Sequence, residues 1–262
     1  MNTLSQIIAY IPAPSIKSIG FIRIYGLIMA LSIGIAVLIS HKRYSKKNNG
    51  SSLVIDIFLP VVIAGIVGAR VYHLFTGYDW DEEGITGTIM LRNGGLSIWG
   101  AVLGGALMVA FICRRKKLSF LALGDSIAVA LLVAQAIGRF GNYFNQELFG
   151  KGFDAFWALE VDPIYRPTGF ENIKTYHPTF LYEAIWCLML AVSIIVLERK
   201  ISNWTKGASL ATYICGYCLG RTFFEYLRID DATKLFGIRF NLMFSATLCL
   251  LGLTWLIKLL LT

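Results

Sequence analysis

Charge is scarce in this chain: Asp, Glu, Lys and Arg make up 15% of its 262 residues, against 56% hydrophobic residues. That excludes an ordinary soluble domain, in which about a quarter of the residues are charged, and points to a polytopic membrane protein. Low-complexity tracts and clear internal repeats are absent, which weighs against transporters assembled from two related halves. Residues 1–16 hold no Lys or Arg, and the first long apolar run begins only near Gly20, so the usual secretory pattern is missing. Residues 1–18, with Ile7, Ile8, Tyr10 and Ile11 ahead of Pro12 and Pro14, are expected to lie at the membrane interface. Cysteines number five, at positions 113, 187, 215, 218 and 249, all within or beside apolar runs. No pair sits in an outer loop, so a disulfide framework is not expected. The Cys215-x-x-Cys218 pair has no second pair or nearby histidine, so no metal site is expected.

What is abundant is long apolar sequence. A bilayer-crossing helix needs roughly 20 apolar residues, and seven stretches qualify, at about 20–40, 53–76, 94–113, 119–142, 179–198, 208–227 and 241–261. The fold class expected is all-α: one integral membrane domain over residues 1–262, with a small outer segment between the fourth and fifth helices. Lys42, Arg43, Lys46 and Lys47 follow the first stretch, Arg114, Arg115, Lys116 and Lys117 the third, and Arg199, Lys200 and Lys206 the fifth. Asp79, Asp81, Glu82 and Glu83 fill an intervening loop. Basic loops stay cytoplasmic, which puts the N-terminus outside and the C-terminus inside. The net charge of +8 is then a matter of topology and of anionic lipid, and no nucleic-acid partner is implied. Tyr72, Tyr78, Trp80 and Tyr143 fall near the outer face and read as an interfacial belt.

Polar residues inside these runs mark the candidate site. At about 100° per residue, Gln135, Arg139, Asn142 and Gln146 form one stripe, with Glu147 beside it if the helix continues that far. Tyr217, Arg221, Glu225 and Arg228 share a face of the sixth stretch, and Arg70 and His73 lie near the end of the second. The topology sets all of them in the outer half of the membrane, where Arg139, Arg221, Arg228, Arg70, Glu147 and Glu225 are expected to converge on an outward-facing cavity. Intramembrane charges at one depth are costly unless they serve a cavity or a partner. Arginine suits bidentate capture of phosphate, so an anionic lipid headgroup is the ligand this pattern suggests. Gly100 and Gly104 form a small-xxx-small face for close helix packing. His177, Thr179 and Glu183 open the fifth stretch after Pro178, with His177 an available proton acceptor.

Residues 138–150, GRFGNYFNQELFG, together with GGLSIWGAVLGG, HPTFLYE, Tyr25-Gly26 and the late GRTFFEYLR, resemble the bacterial prolipoprotein diacylglyceryl transferase family. The resemblance spans nearly the whole chain in order. It implies transfer of the diacylglyceryl group of phosphatidylglycerol to the lipobox cysteine of a prolipoprotein signal peptide. The expected place is the outer face of the bacterial cytoplasmic membrane, with release of glycerol phosphate and without metal or organic cofactor. Carried onto this chain, it assigns the lipid phosphate to Arg139, with Asn142 and Glu147 completing the signature. Arg221 and Glu225 match the late polar pair, and Tyr25 matches the tyrosine of the first span. Many members read GGLSIH where this chain has Trp99, although some actinobacterial members carry tryptophan there. The base that takes the thiol proton is then His177, Glu147 or Glu225. The other readings are a non-catalytic relative that binds phosphatidylglycerol or signal peptides, and a small transporter of an anionic solute.

Overall fold

In the computed structural model, residues 10–76, 98–230, 234–235 and 237–261 are described. The sequence's apolar runs form seven helices among them: α1 (Ile24–Lys47), α2 (Leu53–Thr76), α3 (Ile98–Arg115), α4 (Phe120–Asn145), α5 (Thr179–Lys200), α6 (Ala208–Leu227) and α7 (Phe240–Leu261). Three short antiparallel pairs accompany them: β1 (Ser18–Ile19) with β2 (Ile22–Arg23), β3 (Leu159–Glu160) with β4 (Thr175–Tyr176), and β5 (Lys234–Leu235) with β6 (Ile238–Arg239). The protein is a multi-pass membrane protein. Five helices, α1, α2, α4, α5 and α7, are long and apolar enough to cross a membrane, with mean hydropathies of 1.9 to 2.3. α3, 18 residues ending in Arg114 and Arg115, and α6, with its tyrosines, Arg221 and Glu225, are not among the five. The loop of Asp79, Asp81, Glu82 and Glu83, the Gly94-Gly95 pair, and Tyr78 and Trp80 lie outside the described residues.

Two compact units are present, residues 1–39 with 124–262, and residues 40–123. In the second, α2 and α3 pack backbone to backbone. Gly68, Gly100 and Gly104 allow it, because a methyl group at Gly100 would collide with the Gly68 carbonyl and come within 2.6 Å of Tyr72 Cβ. This is the close approach expected of the Gly100/Gly104 face. In the first unit, Val129, Leu132 and Ala136 of α4 interlock with Ala184, Cys187, Ala191 and Ile194 of α5. Leu190 of α5 packs against Gly216 of α6 and Trp186 against Gly220, and Trp186 donates Nε1 to the Gly216 carbonyl at 2.9 Å.

Helix ends explain how the chain enters and leaves these packed elements. Asp125 of α4 accepts from the backbone N–H groups of Gly207 (2.7 Å) and Leu210 (3.0 Å), capping the start of α6 with a carboxylate from another helix. α1, α3 and α4 all stop at a left-handed residue that is not glycine, at Asn49, Lys117 and Gln146 with φ of 50°, 54° and 53°. In each, the following N–H returns to the carbonyl five residues back: Gly50 to Ser45, Leu118 to Cys113, Glu147 to Asn142. These are Schellman ends, which satisfy carbonyls the helix would otherwise leave open. All five cysteines are free thiols.

The segment between α4 and α5 has its own small core of Phe149, Leu159, Val161, Tyr176 and Phe180, against which Ile11 packs. Backbone pairing stitches it to the helices: Gly150 N–H to the His177 carbonyl, His177 N–H to the Lys151 carbonyl, and Lys151 N–H to the Leu227 carbonyl at the end of α6. The chain between Gln146 and Pro178 is therefore tied at once to the last turn of α4, the first turn of α5 and the last turn of α6.

Candidate functional site

The stripe expected along α4 is broken at its last member. α4 ends at Asn145, and the left-handed Gln146 turns its buried side chain out of the stripe, where it donates to Asp162 Oδ2 at 2.6 Å and accepts from the Asp162 N–H at 2.8 Å. The same Schellman turn carries Glu147 back over Asn142. The Asn142 amide donates to Glu147 Oε1 at 2.8 Å, and Asn145 donates to the same oxygen at 3.3 Å. Asn142 Oδ1 in turn accepts from Arg139 Nη1 at 3.4 Å. The spacing R-x-x-N-x-x-N-x-E thus has a local cause: Arg139 and Asn142 are a helical turn apart, and the Schellman end folds the fifth residue after Asn142 onto it. Leu148, at φ 59°, is left-handed as well, so the exposed Glu147 is held between two non-glycine residues in a costly conformation.

Glu183, one turn into α5 and 4% exposed, is the residue the site is built around. Its Oε2 accepts a close charge-assisted bond from Arg139 Nη2, and Arg221 Nη1 of α6 lies 3.6 Å from the same oxygen. The Tyr217 hydroxyl also interacts with the Arg139 guanidinium. Arg221 Nη2 reaches Glu225 Oε2 at 2.7 Å, the i, i+4 pair expected from the sequence. Glu225 is fully buried, and two further arginines surround it: Arg228 Nη1 at 3.6 Å from Oε2 and Arg239 Nε at 2.9 Å from Oε1. Arg228 forks onto Asp230, Nε to Oδ1 at 2.7 Å and Nη2 to Oδ2 at 2.8 Å, and Arg239 Nη2 shares Oδ2 at 3.1 Å. Burial works to raise the Asp230 carboxyl, but the Arg228 fork and the charges of Arg228 and Arg239 outweigh it and hold the group below its usual 3.8. Four guanidinium groups therefore meet three carboxylates, Glu183, Glu225 and Asp230. One unit of positive charge is left over in the cluster, with Glu147 at its exposed rim.

Tyr25 stands in the first turn of α1 with its ring directly against Gly141. A methyl group at that glycine would come within 2.6 Å of the ring, so the Gly141 of the signature makes room for the tyrosine. Tyr25 also feels the charges of Glu147 and Arg139. The structure thus brings together Tyr25, Arg139, Asn142, Glu147, Arg221, Glu225 and Arg228. The His177 ring has other partners: Phe153 stacks on it at 3.9 Å, and its Nδ1 lies 3.2 Å from the Tyr182 hydroxyl, which accepts from Trp157 Nε1. Burial, and then the Lys151 ammonium, lower its pKa from 6.5, which keeps the ring neutral. Arg70, His73 and Trp99 stand on α2 and α3 in the other compact unit, Arg70 buried. Sequence reasoning gave Glu183 no role in the arginine cluster and overlooked Asp230 and Arg239. The available signal was an unaccompanied arginine, Arg239, at the head of an otherwise apolar run, on the side where topology predicts few cations.

The model of the prolipoprotein diacylglyceryl transferase family matches residues 14–258. The chain belongs to this family. Relatives named phosphatidylglycerol–prolipoprotein diacylglyceryl transferase include one from Streptomyces griseus subsp. griseus, 37% identical over 258 residues that cover 95% of this chain and 78% of the relative. One from Corynebacterium diphtheriae is 37% identical over 261 residues, 93% and 92% of the two chains. One from Bifidobacterium adolescentis is 40% identical over 272 residues, 94% and 78%. The Arg139-to-Glu147 and Arg221-to-Arg228 clusters both fall inside the stretch that matches the prolipoprotein diacylglyceryl transferase model.

Proposed function

We propose that this membrane protein transfers the diacylglyceryl group of phosphatidylglycerol to the thiol of a prolipoprotein lipobox cysteine, at the outer face of the bacterial cytoplasmic membrane. The observation that carries the reading is a buried carboxylate, Glu183, placed between Arg139 of α4 and Arg221 of α6. Over the whole cluster four guanidinium groups against Glu183, Glu225 and Asp230 leave one net cation, which a phosphodiester monoanion neutralises. Family membership supplies the substrate class. The basic loops support seven spans with the N-terminus outside, an orientation that turns the last turns of α4 and α6 and the first turn of α5 towards the outer leaflet.

In this reading the lipid phosphate lies against Arg139, Asn142 and Arg221, with Tyr25 closing the side next to Gly141. The cysteine sulfur attacks the glyceryl carbon that bears the phosphate ester. An S–C bond forms, the C–O bond breaks, and glycerol phosphate leaves carrying the electron pair. Fixed arginines stabilise the charge that develops on the departing phosphate. The thiol, of pKa about 8.5 in free cysteine, must lose its proton, and Glu147 is the acceptor best placed for it. It is exposed and anchored through Oε1 alone among the described residues, whereas Glu225 is sealed among three arginines and His177 is stacked in an aromatic pocket.

The test is mass spectrometry of a synthetic lipobox peptide incubated with the purified protein and phosphatidylglycerol vesicles. A diacylglyceryl mass added to the cysteine is expected. Its loss in Arg139→Ala, by on the order of 10²-fold or more in rate, is expected from removing a fixed charge-stabilising donor. Phosphatidylglycerol binding without any adduct from folded wild-type protein would refute the transferase reading.

A further inference from the structure

We propose that Arg239 is a positioning residue of this transferase site, setting Arg221 through Glu225; the inference rests on the function proposed above. Arg239 ends β6, immediately before α7, and belongs to neither signature segment. Its three contacts go to three different acceptors: Glu225 Oε1 at 2.9 Å, the backbone carbonyl of Arg228 at 2.9 Å and Asp230 Oδ2 at 3.1 Å. Only a planar guanidinium with several fixed donors spans such a set.

The consequence follows from how Glu225 is used. Its Oε2 serves Arg221 and faces Arg228, while Oε1 is served by Arg239. The carboxylate is fully buried, so no water is at hand to replace a lost donor. Without Arg239, Oε1 is left bare, and the carboxylate relieves this by turning towards Arg221 or Arg228. Arg221 is then drawn deeper onto Glu225 and away from Glu183, where the phosphate is held. Arg228 stays tied by its own fork to Asp230, so the disturbance falls on Arg221. The carbonyl bond to Arg228 also fastens the head of α7 to the end of α6, so α7 takes part in fixing the phosphate site although no residue of α7 belongs to it. Arg239 itself does not touch the reacting atoms in this scheme.

The experiment measures kcat and KM for phosphatidylglycerol with a lipobox peptide, on full-length wild type, Arg239→Ala and Arg239→Lys, each checked for a cooperative thermal transition. Expected are a fall in kcat on the order of 10²-fold for Arg239→Ala, the scale of an active group displaced by about 1 Å, and partial recovery of its turnover with millimolar methylguanidinium. Arg239→Lys keeps the charge and guards against a variant that fails to fold; it is expected to fold and still lose kcat, because one ammonium cannot serve three separated acceptors. Wild-type kcat in Arg239→Lys overturns the proposal. So does a loss confined to KM, which would make Arg239 a direct lipid ligand, or a loss that methylguanidinium leaves unchanged. An inactive wild type in the same assay sinks the transferase reading itself, which separates the two failures.

Discussion

Replacing Glu183 with glutamine isolates the charge at the centre of the cluster while keeping its shape. In the native site one carboxylate oxygen accepts from Arg139 and lies 3.6 Å from Arg221, with the Glu183 side chain 5% exposed. At such a separation one ion pair is worth about 4 kcal/mol for an effective dielectric of 20. Glutamine offers one acceptor and one amide donor, so one arginine keeps a neutral hydrogen bond and the other faces a donor. Breaking a buried pair by removing one partner costs about 3–5 kcal/mol. For a chain of this size, each kcal/mol moves the melting temperature by about 2–4 °C, giving an expected drop of roughly 10 °C. The site then carries uncompensated positive charge, and an anionic lipid supplies what the mutation removed. Phosphatidylglycerol is therefore expected to raise the melting temperature of Glu183→Gln more than that of wild type, while zwitterionic phosphatidylcholine treats both alike. Tryptophan fluorescence melts in detergent with each lipid measure this. An unchanged melting temperature, or equal phosphatidylglycerol stabilisation of the two proteins, refutes the electrostatic account of the cluster.

Gly141→Ala forces a methyl group within 2.6 Å of the Tyr25 ring. The expected cost of about 1–3 kcal/mol should vanish in the Tyr25→Ala background, which a double-mutant cycle of thermal unfolding checks. His177→Phe keeps the stack with Phe153 and should retain turnover in the peptide assay, since the partners of its ring are Phe153 and Tyr182. It should also change the acid stability profile. The folded-state pKa of His177 is lowered, so below its usual 6.5 the unfolded chain binds the extra proton and wild-type stability falls with pH. His177→Phe lacks that loss in melts between pH 7 and 5. The Asp230 contribution is lost only as pH falls through and below 3.8, outside this window.

The helices were legible because bilayer length and hydropathy leave few alternatives, and α2 and α6 run over the residues expected, 53–76 and 208–227. Elsewhere the described ends differ from those expected by up to seven residues. α1 starts later and continues through Lys47, because a basic amphipathic turn extends the helix beyond its apolar part until the left-handed Asn49 stops it. The stripe on α4 was legible to Asn142 and failed at Gln146, since helical periodicity carries no information about where a Schellman turn closes on a residue other than glycine. That failure is informative about chemistry. A continuous helix would have aimed Gln146 along the stripe with Glu147 beside it, whereas the closed turn exchanges them and lays a carboxylate over the Arg139–Asn142 pair.

Charge pairing across helices was the less legible part. Arg221 and Glu225 are four residues apart and announce their pairing, but Glu183 to Arg139 spans two helices and Arg239 to Glu225 joins β6 to α6. The sequence pattern sets four arginines around Glu147 and Glu225 alone; the folded chain adds Glu183 and Asp230, pairs Arg139, Arg221, Arg228 and Arg239 with buried or half-buried carboxylates, and retains one positive charge in excess. That distinction matters for turnover. A pocket of unpaired arginines would hold both phosphatidylglycerol and the departing glycerol phosphate tightly. In the proposed mechanism, a pocket in which Glu183 competes for the same guanidinium groups binds the phosphate less tightly, so the carboxylate that weakens substrate binding would also let the product leave.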